Sequence, residues 1–315
     1  MKGDLKIFSG SSNTLLAERI CNYLNWPLRK SHSFKFSEGN IYVKIDESVR
    51  QAHIFIIQSG SAPVNDNVIE LLFYIDALKR ASAASITAVI PFFPYTKGDK
   101  KDEPRVSIRA RVIAELLEAV GIDRVLVMDL LPPQIQGFFK VPVDNLYALP
   151  VFCEYINQKQ LKDLVFVSTD LGGAKMARNF ARKMRAPVAI GDKEREDHSE
   201  HAILENIIGD VVNKNAIIVD DMIISGGSLF AVADGLKKMG SRDIYACITH
   251  GLLTGDAIKK LDESPIKELV ITDTIYNPEK IEHPKLKQLS VSHLFGEAIK
   301  SIYEGNPMSL LFDEE

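Results

Sequence analysis

The chain has 315 residues, 46% hydrophobic and 25% charged, with a formal net charge of -4. That balance is expected of a soluble globular protein long enough for two domains, and the slight acidity without a lysine-arginine block gives no reason to expect nucleic acid as a partner. Three scattered cysteines, Cys21, Cys153 and Cys247, exclude a disulfide framework and fit a reducing compartment.

Strand-like runs occur in chain order at LKIF, HIFIIQ, ITAVIPF, RVLVMDL, LVFVST, PVAIG, AIIVDD, DIYACITH and ELVIT. Helical patterns lie between them, such as Val112, Ile113, Leu116, Leu117 and Val120. The alternation predicts an α/β fold of βαβ units with mainly parallel sheets flanked by helices. The segment VPVDNLYALPVF, residues 141–152, has two prolines and weak periodicity. It marks the expected boundary between an N-terminal domain, 1–147, and a C-terminal domain, 148–315. The halves carry similar numbers of strands, so two similar domains are expected, although no repeat is strong enough to assert duplication. Residues 91–107, PFFPYTKGDKKDEPRVS, and 191–202, GDKEREDHSEHA, fit no regular element and read as mobile loops. The start, MKGDLKIFSG, has no hydrophobic signal region, and no apolar run approaches membrane-spanning length. A cytoplasmic protein with no membrane partner is expected.

The stretch NAIIVDDMIISGGSLFAVADGLKKMG, residues 215–240, concentrates chemistry. Ala216, Ile217, Ile218 and Val219 read as a buried strand, while Leu229, Val232, Ala233, Leu236 and Met239 recur at helical spacing. Asp220, Asp221 and the Gly226-Gly227 pair between serines would then lie at the carboxyl end of a parallel strand, where ligands bind. A glycine-rich turn opening a helix offers N–H groups to a phosphate, and two neighbouring carboxylates want a cation or a diol. Phosphate beside diol describes a sugar phosphate. Helix capping and turn chemistry are the plainer reading of either feature alone.

A second strand-to-glycine unit occurs at VFVSTDLGGAKMARNFARKM, where Asp170 precedes Gly172 and Gly173. Together with IVDDMIISGGS, SAPVNDNVIELLFYIDALKRASA, PFFPYTKGDKKDEPR and DLLPPQIQGFFKVPVDNLYA, it resembles the ribose-phosphate diphosphokinases, or PRPP synthetases, over essentially the whole chain. The resemblance implies two phosphoribosyltransferase-like domains and a homo-oligomer, a hexamer or its dimer unit. It also implies Mg²⁺-dependent transfer of the diphosphoryl group of ATP to the anomeric hydroxyl of ribose 5-phosphate, giving PRPP and AMP. It makes Lys193 and Arg195 the catalytic pair of a flexible loop, and Asp220 and Asp221 the acids facing the ribose hydroxyls. Ser225, Gly226, Gly227 and Ser228 become the 5-phosphate loop, and Asp170 a metal-site acid. Phe36, Glu38, Asn40, Lys97 and Asp99 fall on the ATP side, Phe36 as an adenine-contacting aromatic supplied by a neighbouring subunit. Attack at phosphorus builds charge on phosphate oxygens, so such a site works by positioning and electrostatics.

The chain departs from the family pattern at several of these places. Leu131 stands where the family has a metal-site histidine, and it offers no lone pair. Glu38 and Asn40 replace Asp and Glu; Lys97 and Gly98 replace an arginine and a glutamine that face the nucleotide, losing a planar fork and a side chain. Ile224 stands where Asp is common, Ser225 and Ser228 replace threonines, and Pro307 replaces a serine in a tail that keeps Ser309, which implies changed regulation by phosphate and ADP. Two further readings therefore stand beside PRPP synthesis: the same chemistry on an extended acceptor such as ADP-ribose, and a non-catalytic paralogue.

Overall fold

The computed structural model describes residues 3–194 and 203–311. In chain order the first half contains β1 (Leu5–Ser9), α1 (Thr14–Leu24), β2 (Ser31–Lys35), β3 (Ile41–Ile45), β4 (His53–Ile57), α2 (Val64–Arg80), β5 (Ser85–Ile90), α3 (Arg109–Val120), β6 (Arg124–Met128), β7 (Val143–Leu146) and α4 (Leu149–Gln158). The second half contains β8 (Leu164–Ser168), α5 (Ala174–Met184), β9 (Val188–Glu194), β10 (Ile203–Ile208), β11 (Asn215–Ile223), α6 (Gly227–Lys238), β12 (Ile244–Gly251), α7 (Ala257–Glu263), β13 (Ile266–Thr272), β14 (Leu286–Leu289) and α8 (Ser292–Glu304). Apart from short 3₁₀ turns, the two series are identical. The internal repeat that the sequence left open is thus visible in the order of elements.

The first sheet runs β1-β4-β5-β6-β7 and is wholly parallel. On the free side of β1, Ile7 bridges to Leu28 in parallel, and the Arg29 N–H donates to the Ile7 carbonyl at 2.8 Å. The second sheet runs β10-β9-β8-β11-β12-β13-β14, parallel except for the β9–β10 hairpin. In each, the chain leaves the first strand to one side and returns on the other, so strand order reverses between β1 and β4 and again between β8 and β11. The β2–β3 hairpin takes the place of β9–β10 in chain order, but it forms a separate two-stranded sheet, whereas β9 pairs with β8.

These strands form because their residues are apolar on both faces, as helices cover both sides of a parallel sheet. Ile54, Phe55, Ile56 and Ile57 of β4 are all buried, as are Ala216 to Val219 of β11. Helices contribute one stripe each: α6 buries Leu229, Val232, Ala233 and Leu236 and leaves Met239, just past its end, exposed. The apolar set expected for α3 is split, with Ile113 and Leu117 buried and Val112 and Leu116 exposed.

The chain divides into two compact units, the first running to Tyr147 and taking in Thr274–Tyr276 and the tail from Ser290, the second comprising Ala148–Asp273 and Asn277–Leu289. The closing helix of each half therefore belongs to the other half's unit. In the second unit α4 buries Val151, Phe152, Cys153 and Ile156, and the Tyr155 hydroxyl and Lys159 ammonium both donate to the Glu268 carboxylate of β13, at 2.7 and 2.8 Å. In the first unit α8 lies on α1, where Gly296 is required because a Cβ there would stand 2.5 Å from the Tyr23 ring. The Tyr23 hydroxyl donates to Glu297 at 2.6 Å, and the Tyr303 hydroxyl to the Gly3 carbonyl at 2.8 Å.

Residues 141–152 hold the edge strand β7 and the start of α4. Two segments differ from the sequence expectation. In 91–107, Phe92, Phe93 and Thr96 are buried, so this loop is anchored at its start instead of being mobile throughout. Gly191 to Glu194 continue β9, and 195–202 lie outside the described residues. No helix among the described residues is long and apolar enough to cross a membrane.

Candidate active site

The reversal between β8 and β11 splays two loops apart at the carboxyl ends of adjacent parallel strands, which is where open α/β sheets bind ligands. Asp220 and Asp221 lie in the carboxyl-terminal part of β11, where the sequence places them, and the strand runs on past them to Ile223. The strand pairs with β8 only as far as Val219 opposite Ser168, then continues beside β12 to Ile223 opposite Gly251. The acids thus emerge where β11 has lost its neighbour on the β8 side.

Asp220 is held from two directions. Its Oδ2 accepts from Thr169 Oγ1 at 2.6 Å, and its Oδ1 accepts from the Asp221 N–H at 2.9 Å. Asp221 is buried, and that burial, followed by the Asp220 carboxylate beside it, raises its carboxyl well above the ordinary value of 3.8. Hydroxyl donors or a cation arriving at the pair would favour the charged form that burial disfavours.

Past Ile223 the chain turns through Ile224 and Ser225 into α6. Gly226 has φ +80, a left-handed conformation that favours glycine, and a Cβ there would stand 2.2 Å from the Phe230 ring. The first bond of α6 runs from Phe230 N–H to the Gly226 carbonyl at 2.9 Å. The N–H groups ahead of it lack intrahelical acceptors, and Gly226 has no side chain with which to cap them. Ser225 and Ser228 are half-buried beside them. The turn is anchored behind by Leu252 and Thr254, whose N–H groups donate to the Ile223 and Ile224 carbonyls at 2.9 and 2.8 Å. A helix terminus of this kind holds a phosphate through backbone donors and the helix dipole.

Across the reversal, Asp170 follows β8 and its Oδ1 accepts from the Gly173 N–H at 3.0 Å, at the start of α5. Ser168 beneath it is fully buried, and its Oγ has no hydrogen-bond partner among the described residues. Sequence reading singled out neither Ser168 nor Thr169, because a hydroxyl at a strand end carries no pattern of its own. The Lys193 backbone lies in β9, paired with Leu204. Arg195 lies outside the described residues.

The residues assigned to ATP lie in the first unit, in two places. Phe36, Glu38 and Asn40 form the tip of the β2–β3 hairpin. Phe36 is exposed and packs edge-on against Phe34 at 4.9 Å, and Asn40 Nδ2 donates to Glu38 at 3.3 Å. Lys97 and Asp99 lie on the loop after β5, Lys97 exposed and Asp99 half-buried. Here the structure explains Gly98: the Arg109 side chain occupies the space a residue there would need, its Nε 2.4 Å from where a Cβ would sit. Arg109 Nη2 donates to the Lys97 carbonyl at 3.4 Å. Arg109 went unnoticed because its nearness to residue 98 is a property of the fold. Leu131 is half-buried in the loop after β6, where Asn145 Oδ1 accepts from the Leu130 N–H at 2.9 Å. Among the described residues no three or more His, Cys, Asp or Glu side chains gather as a metal cage. The three cysteines are buried free thiols, Cys21 pushed up to about 12 and Cys153 to about 11 by burial, so none is an activated nucleophile.

Gly226→Ala is expected to cost at least about 2 kcal/mol, from the positive φ and the displaced Phe230 ring. Equilibrium unfolding measures this, and the strain component will persist in a Gly226→Ala, Phe230→Ala double variant. Asp221→Asn gives the opposite sign. A folded-state pKa above 3.8 means that the native protein holds this proton more tightly than the unfolded chain, so stability falls as pH rises above that value. The variant will unfold at a higher temperature than the wild type near pH 8, and the margin will shrink as pH is lowered toward 3.8, the ordinary carboxyl value.

Comparison with known proteins agrees with this fold. A family model described as the N-terminal domain of ribose phosphate pyrophosphokinase matches residues 5–121, and one described as the phosphoribosyl synthetase-associated domain matches 200–313. The chain is 50% identical to a ribose-phosphate pyrophosphokinase of Caldanaerobacter subterraneus subsp. tengcongensis, over 98% of each chain. It is 46% identical to one of Campylobacter jejuni, also over 98% of each. The crystal structure of a phosphoribosylpyrophosphate synthetase from Mycobacterium smegmatis superposes with a TM-score of 0.90 at 35% identity, covering 96% of this chain and all of that one. With its doubled element order, its two glycine-bearing loops at one strand reversal and this similarity over nearly its full length, the chain belongs to the ribose-phosphate pyrophosphokinase family.

Proposed function

We propose that the chain transfers the diphosphoryl group of ATP to the anomeric hydroxyl of ribose 5-phosphate, producing PRPP and AMP. The observation that carries this reading is the β8/β11 reversal, where a helix N-terminus opened by Gly226 adjoins a carboxylate pair, in a chain half identical to a ribose-phosphate pyrophosphokinase. The start of α6, with Ser225, Gly226, Gly227 and Ser228, holds the 5-phosphate. Asp220 and Asp221 accept the ribose hydroxyls, Asp220 kept in place by Thr169. Ile224 makes the mouth of that loop more apolar without removing a phosphate donor.

Magnesium fits the donor set present. Mg²⁺ is usually bound through one or two carboxylates plus substrate phosphates and retained waters, not by an all-protein cage. Asp170 supplies the carboxylate on the loop after β8, and Leu131 supplies nothing. The cation, when bound, neutralises charge on the phosphate oxygens. Lys193 and Arg195 stabilise charge that develops during transfer. On the ATP side, Phe36 offers an aromatic face, Glu38, Asn40 and Asp99 polar groups, and Lys97 a cation. Arg109 supplies beside Lys97 the planar fork that a lysine lacks.

The exposed apolar side chains Ile69 and Phe73 on α2, Val112 and Leu116 on α3, and Phe34, Phe36 and Tyr42 on the hairpin support a homo-oligomer, a hexamer or its dimer unit. No observation favours the extended acceptor or the non-catalytic paralogue.

Phosphorus NMR of the purified chain with Mg²⁺, ATP and ribose 5-phosphate tests the reading. AMP and a new diphosphate signal are expected; the same signals only with ADP-ribose, or none with either acceptor, contradict it. Lys193→Ala will lower kcat by at least about 100-fold with little change in KM, because the charge it meets exists only in the transition state.

A further inference from the structure

The repeated element order poses a question about the first unit: its strand order also reverses, between β1 and β4, yet that reversal is closed. The loop Gly10–Ser11–Ser12–Asn13 leads from β1 into α1 as Asp170–Gly173 leads from β8 into α5. Gly10 is required because a Cβ there would stand 2.3 Å from Gln58 Oε1, the side chain that follows β4 and fills the gap. Gln58 Oε1 accepts from the Ser12 N–H at 3.1 Å and the Ser12 hydroxyl at 2.7 Å. Its Nε2 donates to the Asn67 carbonyl at 3.2 Å and to Glu70 Oε2 at 2.7 Å.

Glu70, on α2, is the unusual member. It is 3% exposed, so its carboxylate is withdrawn from water. Besides Gln58, its donors are the Ser11 N–H at 3.1 Å to Oε1 and the Ser11 hydroxyl at 2.5 Å to Oε2. None of the three carries a positive charge. A buried carboxylate without a cation is held by the donors aimed at it, and these belong to the loop that opens α1, whose dipole points its positive end the same way. The N-cap of α1, Asn13, is itself buried and accepts from the Leu16 N–H at 3.2 Å, while ahead of it the Ser11 and Ser12 N–H groups donate to Glu70 and Gln58.

We infer that the loop after β1 is an anion cradle of the kind that receives phosphates and carboxylates, and that the Glu70 carboxylate occupies it permanently as an internal ligand, with Gln58 as its cover. The first unit thus keeps the backbone architecture of a strand-reversal site while its own side chains exclude free anions. This rests on geometry within the first unit and does not depend on the proposed reaction.

Thermal unfolding of the full chain tests the inference with three proteins: wild type, Glu70→Ala and Glu70→Gln. Glu70→Ala removes the internal anion and leaves a space the size of a small carboxylate. Its midpoint will fall by at least about 4 °C. Sodium formate or acetate will restore several degrees of that loss relative to sodium chloride of equal ionic strength, while the wild type will respond equally to all three salts. Glu70→Gln keeps the volume and loses the charge, so it will be destabilised and will gain nothing from formate; it also carries the test if Glu70→Ala does not fold. The inference is overturned if Glu70→Gln unfolds within about a degree of the wild type, or if formate and acetate stabilise a folded Glu70→Ala no more than the wild type.

Discussion

Everything functional in this chain depends on a parallel sheet whose strand order reverses. Where β9 and β11 flank β8, the loops leaving β8 and β11 diverge toward opposite faces, and nothing in the sheet itself can fill the gap. Each loop feeds a helix, so the gap is lined by N–H groups without acceptors in their own helices. A gap faced by backbone donors is a consequence of that arrangement. The glycines shape it, Gly226 by accepting a left-handed backbone under the Phe230 ring, and Asp220 and Asp221 set a carboxylate pair beside it.

The same constraint met twice accounts for the chain as a whole. Two series of identical elements give two reversals, and the side chains decide what each becomes. In the second unit a buried Asp221, beside Asp220 and with its carboxyl raised by burial, is poised to gain from an incoming donor. In the first, Gln58 and Glu70 have already answered the donors that face them. The closing helices are exchanged between the halves: α4 is fastened to β13 through Glu268, and α8 to α1 through Tyr23 and Gly296.

Much of this was legible in the sequence for identifiable reasons. Strands apolar on both faces, such as β4, β6, β11 and β12, stand out as uninterrupted runs, and two glycines after an acid at a strand end mark a turn that must approach something closely. Short edge strands were not legible. β7 and β14 have four residues each, and β2, SHSFK, alternates only weakly, because an edge or hairpin strand buries little. The true end of β11 was hidden as well, since Met222 and Ile223 are held there by β12, not by any preference of their own. Long-range substitutions are invisible in principle: Gly98 reads as a lost side chain until Arg109 is seen in its place, and nothing in the sequence links Glu70 to Ser11, 59 residues away.

The most direct test of the account is the structure of this chain crystallised with ribose 5-phosphate at saturating concentration. The account predicts one molecule per chain, its phosphate on the N–H groups that open α6 and its ribose hydroxyls on Asp220 and Asp221, with the Gln58–Glu70 network unchanged. A phosphate bound at the loop after β1, or a sugar that leaves Asp220 and Asp221 untouched, would contradict it.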